Sequence, residues 1–103
     1  MARDPRVGIE WLGKAAKAGS GRAMTILGQQ YVLGEVVPRD VGRGIDYLRQ
    51  GVSAGDARAM TYLGLAYAQG LGVARDEAEA QRLLTAAAQA GDEMAPEMLA
   101  EMQ

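Results

Sequence analysis

The segment AGDARAMTYLGLAYAQGLGVARD (residues 54–76) carries the main evidence for the fold, because the chain repeats it. An aligned copy, AGSGRAMTILGQQYVLGEVVPRD (residues 18–40), lies 36 residues earlier, and Ala-Gly-Asp returns 36 residues later at residues 90–92. The same spacing relates three leucines, Leu12, Leu48 and Leu84. Self-similarity at a fixed period of this length indicates a stack of repeated supersecondary units rather than a single globular core.

Each period divides into two helices joined by a tight glycine turn. Apolar residues fall at three- and four-residue steps on both sides of Gly55 and Gly91, a spacing typical of amphipathic helices. Asp56 and Asp92 follow these glycines, so each glycine can end one helix and each aspartate can cap the next. A hinge of about two residues predicts that the joined helices pack antiparallel. The predicted helices lie near residues 5–18, 21–33, 41–54, 57–69, 77–90 and 93–102.

Longer connections separate these hinge-joined pairs, at residues 34–40 and 70–76. Asp4 followed by Pro5 is typical of an N-cap with proline at the first helical position. Pro96 lies near the start of the last helix, and proline is tolerated only in the first turn of a helix. We therefore expect the last helix to begin later than residue 93.

Two glycines, Gly28 and Gly64, recur in phase inside predicted helices. A glycine in a helix interior costs about 0.5–1 kcal/mol relative to alanine. A cost repeated at the same position of the period predicts that a neighbouring helix passes too close to admit a side chain.

The stretch LGLAYAQGLGVARD (residues 63–76) resembles the Sel1-like repeat motif, in which Leu-Gly-x-x-Tyr precedes a glycine loop and an aspartate. GIDYLRQGVSAGD (residues 44–56) is similar to the other half of that motif. The resemblance implies an all-α fold, a right-handed α-solenoid of about three antiparallel helix pairs that is related to tetratricopeptide arrays. It also implies a single Sel1-like repeat domain over residues 1–103, with periods near 4–39, 40–75 and 76–103.

In the family motif, the Leu-Gly-x-x-Tyr helix is the first type and the helix after the longer loop is the second type. The chain begins with a helix of the second type. We expect its apolar face, which includes Ile9, Leu12 and Ala16, to lack the usual partner helix. Three interpretations stay open: the chain is a piece excised from a longer array, a partner protein covers the end, or a second copy of the chain covers it.

Composition argues against several classes of function. The formal net charge is −2, with 11 basic and 13 acidic side chains scattered along the chain, a pattern that disfavours a nucleic-acid partner. The chain contains no His and no Cys, so the usual general bases, thiol nucleophiles and soft-metal ligands are missing. The carboxylates also lack the spacing of a calcium loop. We expect no catalytic residue, no metal and no cofactor.

The first residues contain no apolar segment of the kind found in signal peptides. No stretch approaches the roughly 18 uninterrupted apolar residues of a membrane span. As written, the chain is predicted to be soluble, without direct insertion into a membrane. This is consistent with the cytoplasm, or with the periplasm if a signal peptide has been removed, so the compartment stays open.

The resemblance to tetratricopeptide packing implies that the Leu-Gly-x-x-Tyr helices line a concave side of the array. Solenoids use such surfaces to bind an extended peptide or a helix. We therefore predict exposed partner contacts at Arg22, Thr25, Gln29, Val32, Arg58, Thr61, Leu65, Ala68, Met94, Glu97 and Glu101.

The resemblance also implies a non-enzymatic scaffold or adaptor that binds a protein or peptide, a role of this family in bacterial signalling, envelope and secretion systems. An alternative is a structural segment of a larger repeat protein that self-associates through an uncapped end. A weaker alternative is an enzyme-linked hydrolase or glycan-related role, which the lack of a histidine-activated nucleophile disfavours.

Overall fold

The computed structural model describes residues 5–102, with side chains from Val7 onward, and within them the chain forms six α-helices and no strand. The helices are α1 (Pro5–Lys17), α2 (Gly21–Leu33), α3 (Val41–Ser53), α4 (Ala57–Gln69), α5 (Glu77–Gln89) and α6 (Ala95–Glu101). The predicted all-α fold is confirmed, and the observed bounds of α1 to α5 lie within one residue of the predicted ones. The predicted cap at Asp4 lies outside the described residues.

Local sequence signals determine where most of the helices begin and end. The side chains of four residues accept hydrogen bonds from backbone amides three residues later, which caps α2 to α5: Ser20, Asp40, Asp56 and Asp76. Gly34 and Gly70 end α2 and α4 in the left-handed conformation, with φ of 72° and 70°. Because these signals act within a few residues, the sequence alone is sufficient to identify them, without knowledge of the tertiary packing.

The last helix differs from the initial prediction. α6 begins at Ala95 rather than at residue 93, with Pro96 in its first turn, as the proline had indicated. Asp92 was predicted to cap this helix, but Met94 occupies the N-cap position and makes no side-chain cap hydrogen bond. The carboxylate of Asp92 instead bonds to side chains of α4.

The most extensive packing joins α2 to α3 and α4 to α5, whose members are connected by the longer loops. Helices joined by the tight hinges also pack, as predicted, but less extensively. Missing side chains allow α2 and α3 to approach closely, because a Cβ atom added at Gly28 would lie 2.8 Å from the Gly44 carbonyl oxygen. One added at Gly64 would lie 3.0 Å from Cγ of Leu84. The predicted close approach at Gly28 and Gly64 is confirmed.

The core is divided along the length of the described residues, which extend over 45 × 24 × 24 Å. One cluster joins α1 to α2, a second joins α3, α4 and α5, and a third joins α5 to α6. The buried members of these clusters are mainly alanine and leucine: Ala16, Ala23, Leu27, Ile45, Leu48, Leu63, Ala66, Leu83, Leu84, Ala87 and Ala95. Such serial clusters are typical of solenoids, in which each unit contacts its neighbours.

The apolar residues of α1 point in two directions. Ala16 is buried, and Ile9 and Leu12 pack against the cluster that α1 shares with α2. α2 therefore covers part of this face, and the absence of the usual partner helix of α1 stays a prediction. The outward side chains are Val7 and Trp11, and Trp11 is 66% exposed.

Candidate functional site

An apolar pocket of about 140 Å³ opens between α2 and α4, with α3 beneath it. Three of the predicted contact residues line it, Gln29, Val32 and Leu65. The other lining residues were not predicted as contacts: Leu33, Ile45, Leu48, Tyr62, Ala66, Gln69 and Leu71. Leu33 is 51% exposed, so an uncovered leucine side chain borders this apolar pocket.

A polar pocket of about 360 Å³ lies beside the apolar one. Four predicted residues line it: Arg22, Thr25, Gln29 and Arg58. Ile26, Asp56 and Tyr62 complete the lining and were not predicted as contacts. Because Gln29 and Tyr62 line both pockets, the two form one continuous site, here termed the α2/α4 surface.

The structure corrects the prediction that Thr25 and Thr61 are exposed partner contacts. Thr25 is 3% exposed and Thr61 is 0% exposed. The Thr25 hydroxyl donates to Oδ2 of Asp56 at 2.6 Å, and the Thr61 hydroxyl donates to Oδ2 of Asp92 at 2.5 Å. These two Thr–Asp bonds satisfy buried polar groups, so both threonines hold the fold together rather than facing a partner.

Each Thr–Asp bond connects a helix to the hinge that follows the next helix of the chain. The Asp56 carboxylate lies between α3 and α4 and also accepts from the Ala59 amide at 3.1 Å, which caps α4. One carboxylate therefore joins α2 to the first turn of α4. The equivalent bond of Thr61 joins α4 to the connection between α5 and α6. The Thr25–Asp56 bond therefore fixes the relative positions of α2 and α4, which line the α2/α4 surface.

The Asp92 carboxylate also forms an ion pair with Arg58, with Nε and Oδ1 2.6 Å apart. Burial raises the pKa of Asp92, but hydrogen bonds from Thr61 and Arg58, with the charge of Arg58, outweigh burial and hold that pKa below its usual value. The hydrogen bond with Asp92 raises the pKa of Arg58. Both groups are therefore charged at neutral pH.

Arg22 occupies the position of Arg58 one period earlier, and Asp56 occupies that of Asp92. Arg22 is exposed and lines the polar pocket together with Asp56. Unlike Arg58, however, it forms no ion pair with another residue of the described range 5–102. Relative to that range, the N–H groups of its guanidinium are therefore available to donate hydrogen bonds to a ligand.

Five predicted contact residues line neither pocket of the α2/α4 surface, the buried Thr61 and four others. Ala68 is partly buried in α4, and Met94 is partly buried just before α6. Glu97 and Glu101 are exposed on α6. The structure therefore brings together the predicted residues of α2 with Arg58 and Leu65 of α4, and leaves the C-terminal ones apart from them.

The α2/α4 surface combines apolar side chains with a small number of polar groups. Within residues 5–102, no group of three or more potential ligands is placed to hold a metal ion. The polar groups of the α2/α4 surface are two guanidinium groups, amides, the Tyr62 phenol and the hydrogen-bonded Asp56 carboxylate and Thr25 hydroxyl, and such groups can orient a ligand. Helices that could span a bilayer are also absent from this part of the chain.

The fold defines an α-helical repeat protein with pockets between successive units. The profile of the Sel1 repeat family matches residues 1–20, 21–56 and 57–92. Because these matches cover most of the chain, it belongs to the Sel1 repeat family. Proteins of this family are generally non-enzymatic modules for protein–protein interaction. The two longer matches contain the most extensively packed helix pairs, α2 with α3 and α4 with α5.

Solved structures support the same assignment. A Sel1 repeat protein from Oxalobacter formigenes is 35% identical, with a TM-score of 0.91 over 99% of this chain. A protective antigen of uropathogenic Escherichia coli that displays an SLR fold is 32% identical, with a TM-score of 0.85 over 91%. The Helicobacter pylori cysteine rich protein B is 27% identical, with a TM-score of 0.82 over 88%.

The chain corresponds to different shares of these proteins. It covers 42% of the Oxalobacter chain, 20% of the Escherichia coli antigen and 68% of the Helicobacter protein. No curated protein matches the chain. The likeness therefore defines the repeat fold and does not specify a partner.

Proposed function

We propose that this chain is a non-enzymatic interaction module that holds a segment of a partner protein on the α2/α4 surface. The observation that carries this proposal is the apolar pocket bordered by the exposed Leu33, directly beside a pocket lined by two guanidinium groups. Binding sites for peptides and small molecules combine an apolar cavity with a few polar groups that fix orientation. The arrangement therefore fits recognition of a protein segment.

The packing of the helices supports assigning this surface to the concave side of the solenoid. α2 contacts α4 directly, whereas no comparable contact joins α3 to α5 in the described residues. Successive helix pairs that approach more closely on one side bend toward that side. On this basis the α2/α4 surface is concave, and Ala68, Met94, Glu97 and Glu101 extend it toward α6.

The proposal is tested by crosslinking capture from host lysate, with captured proteins identified by mass spectrometry. The variant Arg22→Glu/Leu65→Glu changes both pockets and leaves the Thr–Asp bonds intact. The matched control Gln81→Glu/Thr85→Glu places two acidic residues on exposed positions of α5. Circular dichroism establishes that both variants keep the helicity of the parent.

The expected result is a protein that is captured by the parent and the α5 control but not by the surface variant. Purified samples of that protein should then bind with the same pattern in isothermal titration. Equal binding to all three forms would contradict the assignment of the partner site to the α2/α4 surface.

A second candidate function is self-association through α1, which the 66% exposure of Trp11 favours. Large exposed aromatic side chains often mark protein interfaces. Light scattering over a range of concentrations tests this candidate. A dimer that Trp11→Lys dissociates would support it, and a monomer at all concentrations would contradict it.

A further inference from the structure

Two of the three charged groups that line the polar pocket are guanidinium donors, those of Arg22 and Arg58. The third, the Asp56 carboxylate, accepts from the Thr25 hydroxyl and from the Ala59 amide, both at Oδ2. The Asp92 carboxylate, outside the pocket lining, is likewise occupied by Thr61 and Arg58. Arg22, in contrast, presents a guanidinium with five N–H donors and has no ion-pair partner among residues 5–102. A ligand group that accepts hydrogen bonds and carries negative charge fits this pocket best.

The apolar pocket sets a second requirement, on the size and polarity of the ligand group that fills it. Its volume of about 140 Å³ is close to the ~150 Å³ of an apolar protein cavity that can hold a benzene molecule. Aliphatic side chains on α2, α3 and α4 form most of its wall, among them Val32, Ile45 and Leu65. A single aliphatic or small aromatic side chain of the partner would fill it and gain free energy from burial.

Gln29 lies between the two sites, since it lines both pockets. Its amide group can donate and accept hydrogen bonds at the same time. An extended peptide offers unpaired backbone N–H and C=O groups at this point, whereas a helix uses these groups internally. The position of Gln29 therefore favours an extended segment over a helical one.

The separation of the two anchors sets the spacing of the ligand groups. Arg22 and Val32 are ten residues apart on α2, which corresponds to about 15 Å along the helix axis. An extended peptide advances about 3.3 Å per residue. The same distance therefore spans four or five residues of an extended segment, but about ten residues of a helix.

We infer that the α2/α4 surface recognises an extended peptide segment that carries an aliphatic side chain and a carboxylate four or five residues apart. The aliphatic side chain occupies the apolar pocket, and the carboxylate bonds to Arg22. This inference rests on the proposed function and specifies the chemistry of the partner.

The test uses a displayed library of random linear peptides, selected separately on the parent, on Arg22→Glu and on Leu65→Glu. Peptides selected on the parent should share an aliphatic and an acidic residue at the stated spacing. In titrations with the selected peptide, Arg22→Ala should weaken binding about tenfold or more, because a charge-assisted contact is lost. Selection on Arg22→Glu should replace the acidic residue by Lys or Arg, because the local charge is reversed.

Each other outcome overturns a defined part of the inference. Peptides without an acidic preference, or with one that Arg22→Glu leaves unchanged, would overturn the carboxylate assignment. The proposed function would still stand in that case if Leu65→Glu abolished selection. An aliphatic and an acidic residue about ten positions apart would indicate a helix instead of an extended segment. Failure to enrich any peptide on the parent would overturn the inference as a whole.

Discussion

Two buried hydroxyl groups, those of Thr25 and Thr61, join successive helix pairs at equivalent points of the repeat. Each donates to an aspartate 31 residues further along the chain. Hydrogen bonds to a charged acceptor are shorter and stronger than those between neutral groups. If the hydroxyl is removed, the buried carboxylate keeps its charge but loses a donor, which is more costly than losing an exposed contact.

Replacing Thr61 by valine keeps the shape of the side chain and removes its hydroxyl. We expect Thr61→Val to lower the free energy of unfolding by about 1–3 kcal/mol, because Asp92 loses a buried hydrogen bond. Urea denaturation followed by circular dichroism measures this difference. Thr85→Val is the matched control, since Thr85 is exposed on α5. Equal unfolding midpoints for both variants and the parent would contradict a stabilising role for this bond.

The ion pair between Asp92 and Arg58 predicts a specific dependence of stability on pH. The pKa of Asp92 is lower in the folded chain than its unfolded value of about 3.9. Its contribution is therefore fully present above the unfolded pKa and is lost as the pH falls through the folded pKa. The difference in unfolding free energy between the parent and Asp92→Asn should thus be constant near neutral pH and shrink below about pH 4. Urea titrations at stepped pH measure it, and a difference that stays constant in acid would contradict the prediction.

At the residue scale, sequence reasoning located Arg22, Gln29, Val32, Arg58 and Leu65 on the surface that the structure forms. It misplaced the two threonines, because helical periodicity gives the direction of a side chain but not a partner 31 residues away. The sequence nevertheless contains a signal for these bonds. Both members of each pair recur at the period of the repeat, the threonines at 25 and 61 and the aspartates at 56 and 92.

At the scale of helices, replacing glycine by alanine should have opposite effects on stability at different positions. A Cβ atom at Gly28 would lie 2.8 Å from a backbone oxygen of α3 and 2.9 Å from Cγ of Leu48, whereas one at Gly13 meets nothing within 4 Å. We expect Gly28→Ala to lower the free energy of unfolding by about 1–3 kcal/mol through overpacking. Gly13→Ala, the control, should raise it by about 0.5–1 kcal/mol through helix propensity. Thermal and urea denaturation measure both, and stabilisation by Gly28→Ala would contradict the close approach of α2 and α3.

The bounds of α1 to α5 were predictable because capping side chains and glycines act over three or four residues. The preference for packing α2 on α3 was harder to predict, since it depends on Gly44 as well as Gly28. These two glycines face one another across the helix pair, although they lie 16 residues apart in the sequence. Hinge length alone predicted that the joined helices pack, but it gave no measure of how closely the axes of other helices approach one another.

At the scale of the whole molecule, protection from hydrogen exchange should be uneven. α6 has seven residues and no side-chain cap, and α1 has outward apolar residues such as Trp11. We expect amides of α3 and α4 to exchange most slowly and those of α6 most rapidly, because each unit of a solenoid is stabilised by its neighbours. Hydrogen exchange measured by mass spectrometry checks this order. Uniform protection of all six helices would indicate a single cooperative unit instead.

The period of 36 residues was sufficient to predict the overall architecture, because a repeat specifies how each unit meets the next. The pockets were less accessible to sequence reasoning. Their lining includes Ile45 and Leu48 from α3 as well as residues of α2 and α4. A pocket depends on the space that side chains of several helices leave unfilled, and no periodicity within one helix reports that space.

The reach of the Thr–Asp bonds has a consequence for the order of events during synthesis. Thr61 lies in α4, but its acceptor Asp92 follows α5. A chain that emerges from the ribosome with its N-terminus first can therefore form α4 and pack α5 on it before this bond exists. The Thr–Asp bond of a helix can form only after the hinge that carries its aspartate has been translated. During synthesis, stabilisation by these bonds therefore lags behind the growing end of the chain by one helix and its hinge.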